Sequence, residues 1–248
     1  MPMQISISNV IGGAAARESF TNSYSIELDG VDAYVDCGTN SSLNFERTDT
    51  FSYSFWVKRN STGTTHTLLS KMNPTGNRRG MFFIINTSNV IVVMLRTDTS
   101  STAQRLSIKS TTTIADSNWH NIVFTYDGSS AISGCKIYID GVSDTLISDG
   151  TLSATIENTA PFLIGALSTA PLLPADVLMD EIAVFNSELS ASNVTAIYGT
   201  GEPNDITDLS PLSWWRFEEG SGTTAADSGS ASNTGTLENS ATFSTDVP

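Results

Sequence analysis

The chain has 248 residues, and its 39% hydrophobic and 8% aromatic content is enough to build a core and too high for a disordered chain. Its 26 acidic residues outnumber 12 basic ones and give a formal net charge of −14, so phosphate backbones repel the chain and nucleic acid is not an expected partner. No segment approaches the ~20 apolar residues of a membrane-spanning helix, so membrane insertion is not expected.

Residues 1–22 are predicted to form a separate N-terminal arm. Ile5 and Ile7 alternate with serines, which favours a short strand, and Gly12 and Gly13 then interrupt the pattern. Such an arm is either a flexible chain end or a strand that pairs with the sheet edge of a neighbouring copy.

Apolar runs of strand length follow from Tyr24 onwards, about every ten residues, with turn formers between them. This spacing predicts an all-β, antiparallel β-sandwich. The runs are YSIELDG, AYVDCG, FSYSFWVKR, TLLSK, MFFIIN, VIVVMLR, LSIKS, WHNIVFTYDG, KIYIDG, PFLIG and VLMDEIAVF.

One short helix is predicted near residues 190–198. Ser190 is a suitable N-cap, Val194 and Ile197 lie on one helical face, and Gly199 ends the pattern. Residues 201–248 then read as a linker followed by a tail whose start, WWRFEEGSGTTAADSGS, looks like the beginning of a domain.

Four stretches, in order, resemble a laminin-G-like domain of the concanavalin A-like lectin/glucanase superfamily. They are SIELDGVDAYVDCG, FSYSFWVK, SNWHNIVFTYDGS with CKIYIDGV, and LMDEIAVFNSELSASNVTAIY. The resemblance covers roughly residues 23–199 and implies a jelly-roll sandwich over residues 23–200.

The tail resembles the segment with which domains of this family often begin. We therefore expect it to add a displaced strand to the same sandwich, with Trp215 and Phe217 in the core and Trp214 partly covered; pairing with another copy is the alternative. The layout also resembles structural proteins of marine bacteriophages.

Calcium is the one cofactor that the sequence suggests. Asp29 and Asp32 lie in a turn, and carboxylate and carbonyl oxygens are the ligands that Ca²⁺ prefers. The resemblance implies a structural Ca²⁺ held between this turn and Asp180. Alternatively, Asp29 and Asp32 only form hydrogen-bonded Asx-turns, and Asp180 is a surface residue.

Three further residues are candidates for ligand binding. Trp56 is either an exposed aromatic platform for a sugar or part of the core. Arg78 and Arg79 form a small basic cluster in an acidic chain, which either contacts a partner or anion or is a solvated hairpin tip.

No catalytic residues are predicted. Glycoside hydrolysis needs two carboxylates flanking the scissile bond, and adjacent acids such as Asp180 and Glu181 would point to opposite faces of a strand. His66 and His120 are interpreted as structural residues bonded across the sheet. Cys37 and Cys135 are either bridged or two buried thiols.

The predicted function is a non-enzymatic virion structural or adhesion protein, such as a capsid decoration protein or a tail-fibre component. Its partners would be other virion proteins, copies of itself or a cell-surface glycan, and its location would be the virion. The alternative is a secreted, extracellular carbohydrate-binding module. The N-terminus carries no basic residue before Arg17 and makes a poor signal peptide.

Overall fold

The computed structural model describes residues 20–73, 78–97 and 104–248. The predicted arm strand at Ile5 and Ile7 lies outside these residues.

The described residues form 17 strands and one α-helix, α1 (Ala191–Tyr198). The strands are β1 (Ser25–Asp29), β2 (Tyr34–Asp36), β3 (Phe51–Arg59), β4 (His66–Met72), β5 (Gly80–Ile85), β6 (Val90–Arg96), β7 (Arg105–Thr113), β8 (Trp119–Tyr126), β9 (Cys135–Ile139), β10 (Val142–Ser143), β11 (Leu146–Gly150), β12 (Leu163–Ile164), β13 (Asp176–Phe185), β14 (Ser213–Trp215), β15 (Thr224–Ala225), β16 (Gly235–Glu238) and β17 (Thr242–Ser244).

These strands build two antiparallel sheets that pack as a sandwich, which confirms the predicted fold class. The eight-stranded sheet has the order β10-β9-β8-β3-β13-β1-β17, with β14 also paired to β13. The nine-stranded sheet has the order β11-β7-β6-β5-β4-β12-β2-β16-β15.

The core lies between the sheets because alternate residues of each strand point inward. In β3, Phe51, Tyr53, Phe55 and Val57 are all buried in the main apolar cluster. Burying one such side chain contributes roughly 1.5–3 kcal/mol, so a run of four makes β3 a major source of stability.

Helix α1 covers part of the outer face of the eight-stranded sheet. It begins as predicted at Ser190, whose side chain forms a reciprocal capping box with Asn193. Val194 and Ile197 face a second apolar cluster on the sheet, so the helix buries its apolar face there.

The tail contributes strands to both sheets of the same chain. β14 pairs with β13, β17 pairs with β1, and β16 pairs with β2. Trp215 and Phe217 are both fully buried in the main core. The indole of Trp215 stacks on Phe162 at 5.5 Å between ring centroids, and its Nε1 donates to the Asn233 carbonyl at 2.9 Å.

Trp214 is more deeply buried than predicted, with 4% of its surface exposed. Its ring stacks against Phe20 at 6.3 Å and packs in the cluster that includes Val194 and Ile206. Nothing in the sequence indicated the contact with Phe20, since Phe20 lies near the other end of the chain.

Cys37 and Cys135 are both buried and free, which excludes a disulfide between them. Of the helical residues that the structure describes, none belongs to a helix long and apolar enough to cross a membrane.

Replacing Trp215 with Ala should cost on the order of 3–5 kcal/mol because it removes a fully buried indole and leaves a cavity. That is a large share of the ~5–15 kcal/mol of a typical domain. Thermal and urea unfolding measure the loss. Trp119→Ala is the matched control, since Trp119 is only half-buried and should cost clearly less; equal costs would contradict the tail's role in the core.

Candidate ligand-binding cleft

A cleft of about 630 Å³ opens at the end of the sandwich where β1 ends and β4 and β13 begin. Four loops meet there, and most of the residues they contribute are polar. The lining comprises Asp29, Gly30, Ser61, Gly63, Thr64, Thr65, His66, Thr87, Leu173, Pro174 and Asp176.

The turn after β1 forms one wall and is held by Asp29. Its Oδ1 accepts the backbone N–H groups of Val31, Asp32 and Ala33 at 2.8, 3.1 and 3.1 Å. Burial disfavours the carboxylate, but these bonds outweigh it and lower the pKa of Asp29 below its usual value. The Asx-turn interpretation therefore describes what Asp29 does here.

Gly30 allows this turn to approach β13 closely. Its φ is +71°, and a Cβ at this position would lie 2.7 Å from the Cβ of Asp176. Only glycine satisfies both requirements, so the Asp-Gly dipeptide sets the position of the two carboxylates at the cleft.

His66 forms the floor of the cleft. Its Nδ1 accepts the backbone N–H of Asp176 at 3.0 Å, and its Nε2 lies 2.9 Å from the Thr64 hydroxyl. Burial, and then the charge of Arg59, lower the pKa of His66. Its imidazole is therefore neutral at pH 7, with both nitrogens engaged, and it positions the cleft walls as the sequence interpretation expected.

The cleft is suited to a ligand rich in hydroxyl groups. The carboxylates of Asp29 and Asp176 accept hydrogen bonds, and the exposed Thr64 and Thr87 hydroxyls can donate or accept them. Leu173, with 41% of its surface exposed, offers an apolar contact beside these groups.

The three predicted calcium ligands do not come together. Asp29 and Asp32 share the turn, but the residue opposite Asp29 in the register is Asp176. Asp180 lies four residues further along β13, or about 13 Å at ~3.3 Å per residue. Among the residues that the structure describes, no three acidic, histidine or cysteine side chains are arranged to hold a metal.

A β-bulge explains where Asp180 and Glu181 go instead. The register of β13 against β3 shifts between Asp180 and Ala183, and Glu181 has a φ of +48°. The extra residue breaks the strict alternation. The expectation that the two acids point to opposite faces is wrong, because both lie on the outer face of the eight-stranded sheet. Asp180 is not a surface residue either: segments that pack on this face bury Asp180 and Glu181 to 0% and 5% exposure.

The two buried carboxylates bind the base of the arm and the tail. Asn22 donates to Asp180 at 3.0 Å, while Arg216 and the Trp214 indole donate to Glu181 at 3.1 and 2.5 Å. The sequence offered no signal for the link from Asn22 to Asp180, because 158 residues separate the two.

Arg216 extends this cluster to the arm. Its guanidinium lies over the Phe20 ring at 4.4 Å from the centroid and donates to the Thr21 carbonyl. The base of the arm is therefore held by both a cation–π contact and a hydrogen bond.

Burial sets the protonation of this pair. Burial, and then the charge of Glu181, raise the pKa of Asp180 well above its usual value. Burial raises the pKa of Glu181 to about 7, although Arg216 and Trp214 favour its ionised form. Because both carboxyl groups are enclosed, neither can contact a sugar in solution.

Trp56 is part of the packing and not an exposed platform. It is 2% exposed and stacks on Tyr198 of α1 at 5.8 Å. Arg78 is exposed, and the Nε of the half-buried Arg79 donates to the Thr97 carbonyl at 3.4 Å. Neither arginine lines the cleft.

His120 is held between two carboxylates. Its Nδ1 and Nε2 lie 2.8 and 2.9 Å from Asp140 and Asp116. The hydrogen bond to Asp140 is the main cause that raises the pKa of His120 to about 9, against the effect of burial. An imidazolium with both nitrogens bonded serves as a structural link, in agreement with the sequence interpretation.

Known proteins share this fold. A family model of the concanavalin A-like lectin/glucanases superfamily matches residues 29–195. The chain belongs to this superfamily. No curated protein matches the chain.

Three solved structures share the superfamily's fold at low sequence identity. A proposed carbohydrate binding protein from Bacteroides ovatus aligns over 91% of this chain and 60% of its own, with a TM-score of 0.62 and 13% identity. A heptameric SAP-like pentraxin from Limulus polyphemus aligns over 91% of this chain and 96% of its own, with a TM-score of 0.56 and 11% identity. The binding domain of Paraclostridial Mosquitocidal Protein 1 aligns over 73% of this chain and 47% of its own, with a TM-score of 0.51 and 16% identity. The chain thus spans less than two thirds of the first and third proteins.

Calcium binding at the Asp29 turn stays a prediction from the resemblance to this superfamily. An ion bound only by the native state should raise stability by roughly 2.7 kcal/mol at a hundredfold excess over Kd. Thermal midpoints in EDTA and in millimolar calcium test this. Asp180→Asn should show the same shift as the wild type because Asp180 lies apart from the turn; the absence of any shift would end the prediction.

Glu181 should make stability fall as the pH rises from about 4.5 to about 7. In this window Glu181 is ionised in the unfolded chain but still protonated in the folded one. The unfolded state then binds fewer protons, so the free energy of unfolding decreases with pH. Urea unfolding at pH values across the window measures this slope.

Glu181→Gln isolates the contribution of this one carboxyl. The amide oxygen still accepts from Trp214 but cannot ionise, so the variant should show a flatter slope than the wild type. Glu188→Gln, at the exposed pair with Lys136, is the control and should keep the wild-type slope. Equal slopes in all three proteins would show that Glu181 titrates alike in both states.

Proposed function

We propose that this protein is a non-catalytic binding module that attaches to glycans through the cleft at the Asp29 turn. The observation that carries the proposal is the lining of the cleft: two carboxylates and several hydroxyls surround one exposed apolar side chain, Leu173. This combination matches a sugar, whose hydroxyls need polar partners and whose C–H groups need an apolar contact.

Two comparisons support the proposal at the level of fold. The Bacteroides ovatus protein is a proposed carbohydrate binding protein, and the Paraclostridial domain is the binding domain of a mosquitocidal protein. Both are sandwiches like this one, and binding is the property that their descriptions share.

The chemistry of the carboxylates supports a non-catalytic role. A glycosidase needs one carboxylic acid with a raised pKa beside the scissile bond. In the part of the chain that the structure describes, the carboxyl groups whose pKa is raised are Asp180 and Glu181, and both are enclosed. At the cleft, the pKa of Asp29 is lowered, so Asp29 would not protonate a leaving group.

The finer proposal is that this binding serves attachment within a virus particle, in a capsid decoration or a tail fibre. It rests on the resemblance of the layout, with its displaced tail, to structural proteins of marine bacteriophages. Location in the virion is part of the same proposal, and an extracellular carbohydrate-binding module is the alternative. Binding to purified particles in the absence of sugar distinguishes them.

Glycan binding can be tested with an array of neutral, amino and acidic oligosaccharides, followed by calorimetry on any that bind. Leu173→Asn should weaken binding about tenfold, because it removes the apolar contact while asparagine tolerates the φ of +52° at this position. Thr87→Val should weaken binding about threefold or more by removing one hydroxyl.

Two exposed positions far from the cleft serve as controls. Val142→Asn and Thr224→Val place the same two side chains at exposed sites on β10 and β15, and both variants should bind as the wild type does. If the control variants lose affinity as strongly as the cleft variants, the glycan binds elsewhere. If no oligosaccharide binds, the proposed function is wrong.

A further inference from the structure

The outer face of the nine-stranded sheet carries no helix, because the single α-helix of the described residues lies on the other sheet. The register aligns one row of outward side chains across all nine strands of this sheet. The row runs Asp149, Ser107, Met94, Phe82, Ser70, Leu163, Asp36, Thr236 and Thr224.

One side of this face is basic. Arg96 of β6 and Arg105 of β7 are direct cross-strand partners, and Lys109 follows on β7 as an exposed residue. Asp149 of the edge strand β11 lies 3.4 Å from Arg105. Three of the chain's 12 basic residues therefore lie on two neighbouring strands, in a protein whose net charge is −14.

The other side of the face is acidic. Asp36 of β2 and Glu238 of β16 are half-exposed, and β2, β15 and β16 contain no basic residue. The two acids lie close enough to Tyr34 that their charges, after burial, help to raise the pKa of its hydroxyl. This side therefore carries an excess of negative charge.

Apolar side chains lie between the two charged sides. Phe82, Ile84 and Met94 point outward from β5 and β6 and belong to one apolar cluster with Leu167. The loop that carries Leu167 crosses the middle of the face, and its Leu172 has 49% of its surface exposed. The loop buries Phe82 and leaves Leu172 exposed, so Leu172 would meet its copy near a twofold axis along the middle of the face. An exposed apolar residue flanked by charge is typical of a protein–protein contact.

The charges are arranged so that the face is complementary to itself. β4 is the middle strand of the nine. A twofold axis along β4 reverses the order of the strands in the second copy, but each residue keeps its height along the strand direction. As a result, β7 of one copy faces β16 of the other, and β6 faces β2. Lys109 then lies opposite Glu238, and Arg96 comes within one row of Asp36.

We propose that two copies of this chain pack against each other through this face, related by a twofold axis along β4. Twofold dimers are the commonest closed assemblies. In their interfaces, each contact between two different residues occurs twice, once in each direction between the copies. The face measures about 38 Å across nine strands, and the mean strand length of five residues gives about 17 Å along them. Its area of about 650 Å² is somewhat below the roughly 800 Å² that each partner contributes to a standard interface.

Analytical ultracentrifugation of the full chain across a wide concentration range tests the dimer. Lys109→Glu or Glu238→Lys alone should raise the dissociation constant at least about tenfold, because each change creates two repulsive contacts per dimer. The double variant that carries both changes should dimerise again, since each reversed side chain would once more face the opposite charge on the other copy. It should not pair with the wild-type chain.

The control reverses a charge on the opposite sheet. Lys136→Glu breaks the exposed pair with Glu188, at 2.6 Å, and should dimerise as the wild type does. Circular dichroism shows that each variant is folded. A monomer at every concentration overturns the proposal, as does a dimer that ignores the reversals or a double variant that fails to recover. None of these results depends on glycan binding.

Discussion

The structure depends on the way β13 shares its two edges. One edge pairs with β3 along nearly its whole length, from Val177 to Phe185. The other edge is divided: β1 pairs with its first half, and β14 of the tail pairs with its second half. β1 has only five residues and β13 has ten. Without the tail, the backbone groups of the second half would lack partners, which is why a segment near the chain end belongs to the centre of a sheet.

The bulge in β13 sits at the junction between these two partners. It places Asp180 and Glu181 together on the outer face, where two enclosed carboxyl groups without donors would destabilise the sheet. Asn22, Trp214 and Arg216 supply those donors. One local irregularity therefore joins the base of the N-terminal arm to the tail, and its stability is linked to pH through Glu181.

The same architecture separates the proposed functions in space. The cleft lies at one end of the strands, built from turns that Asp29, Gly30 and His66 hold in place. The self-complementary face lies on the nine-stranded sheet. Because an axis along β4 keeps position along the strands, a dimer would present both clefts at the same end. If the clefts bind glycans, two sites on one side would favour attachment to a surface that displays many copies of the ligand.

Local patterns in the sequence are enough to predict the sandwich, most of its strands and the helix cap at Ser190, because alternation and capping involve residues close together in the chain. Alternation also identifies Trp215 and Phe217 as core residues. The position of Asp180 could not be predicted in this way, since a bulge depends on the neighbouring strands, and Trp56 stayed open because its cover is the distant helix α1. The roles of Asn22 and Arg216, and the opposition of basic and acidic sides on the nine-stranded sheet, join segments far apart in the chain, so they arise only when the chain folds.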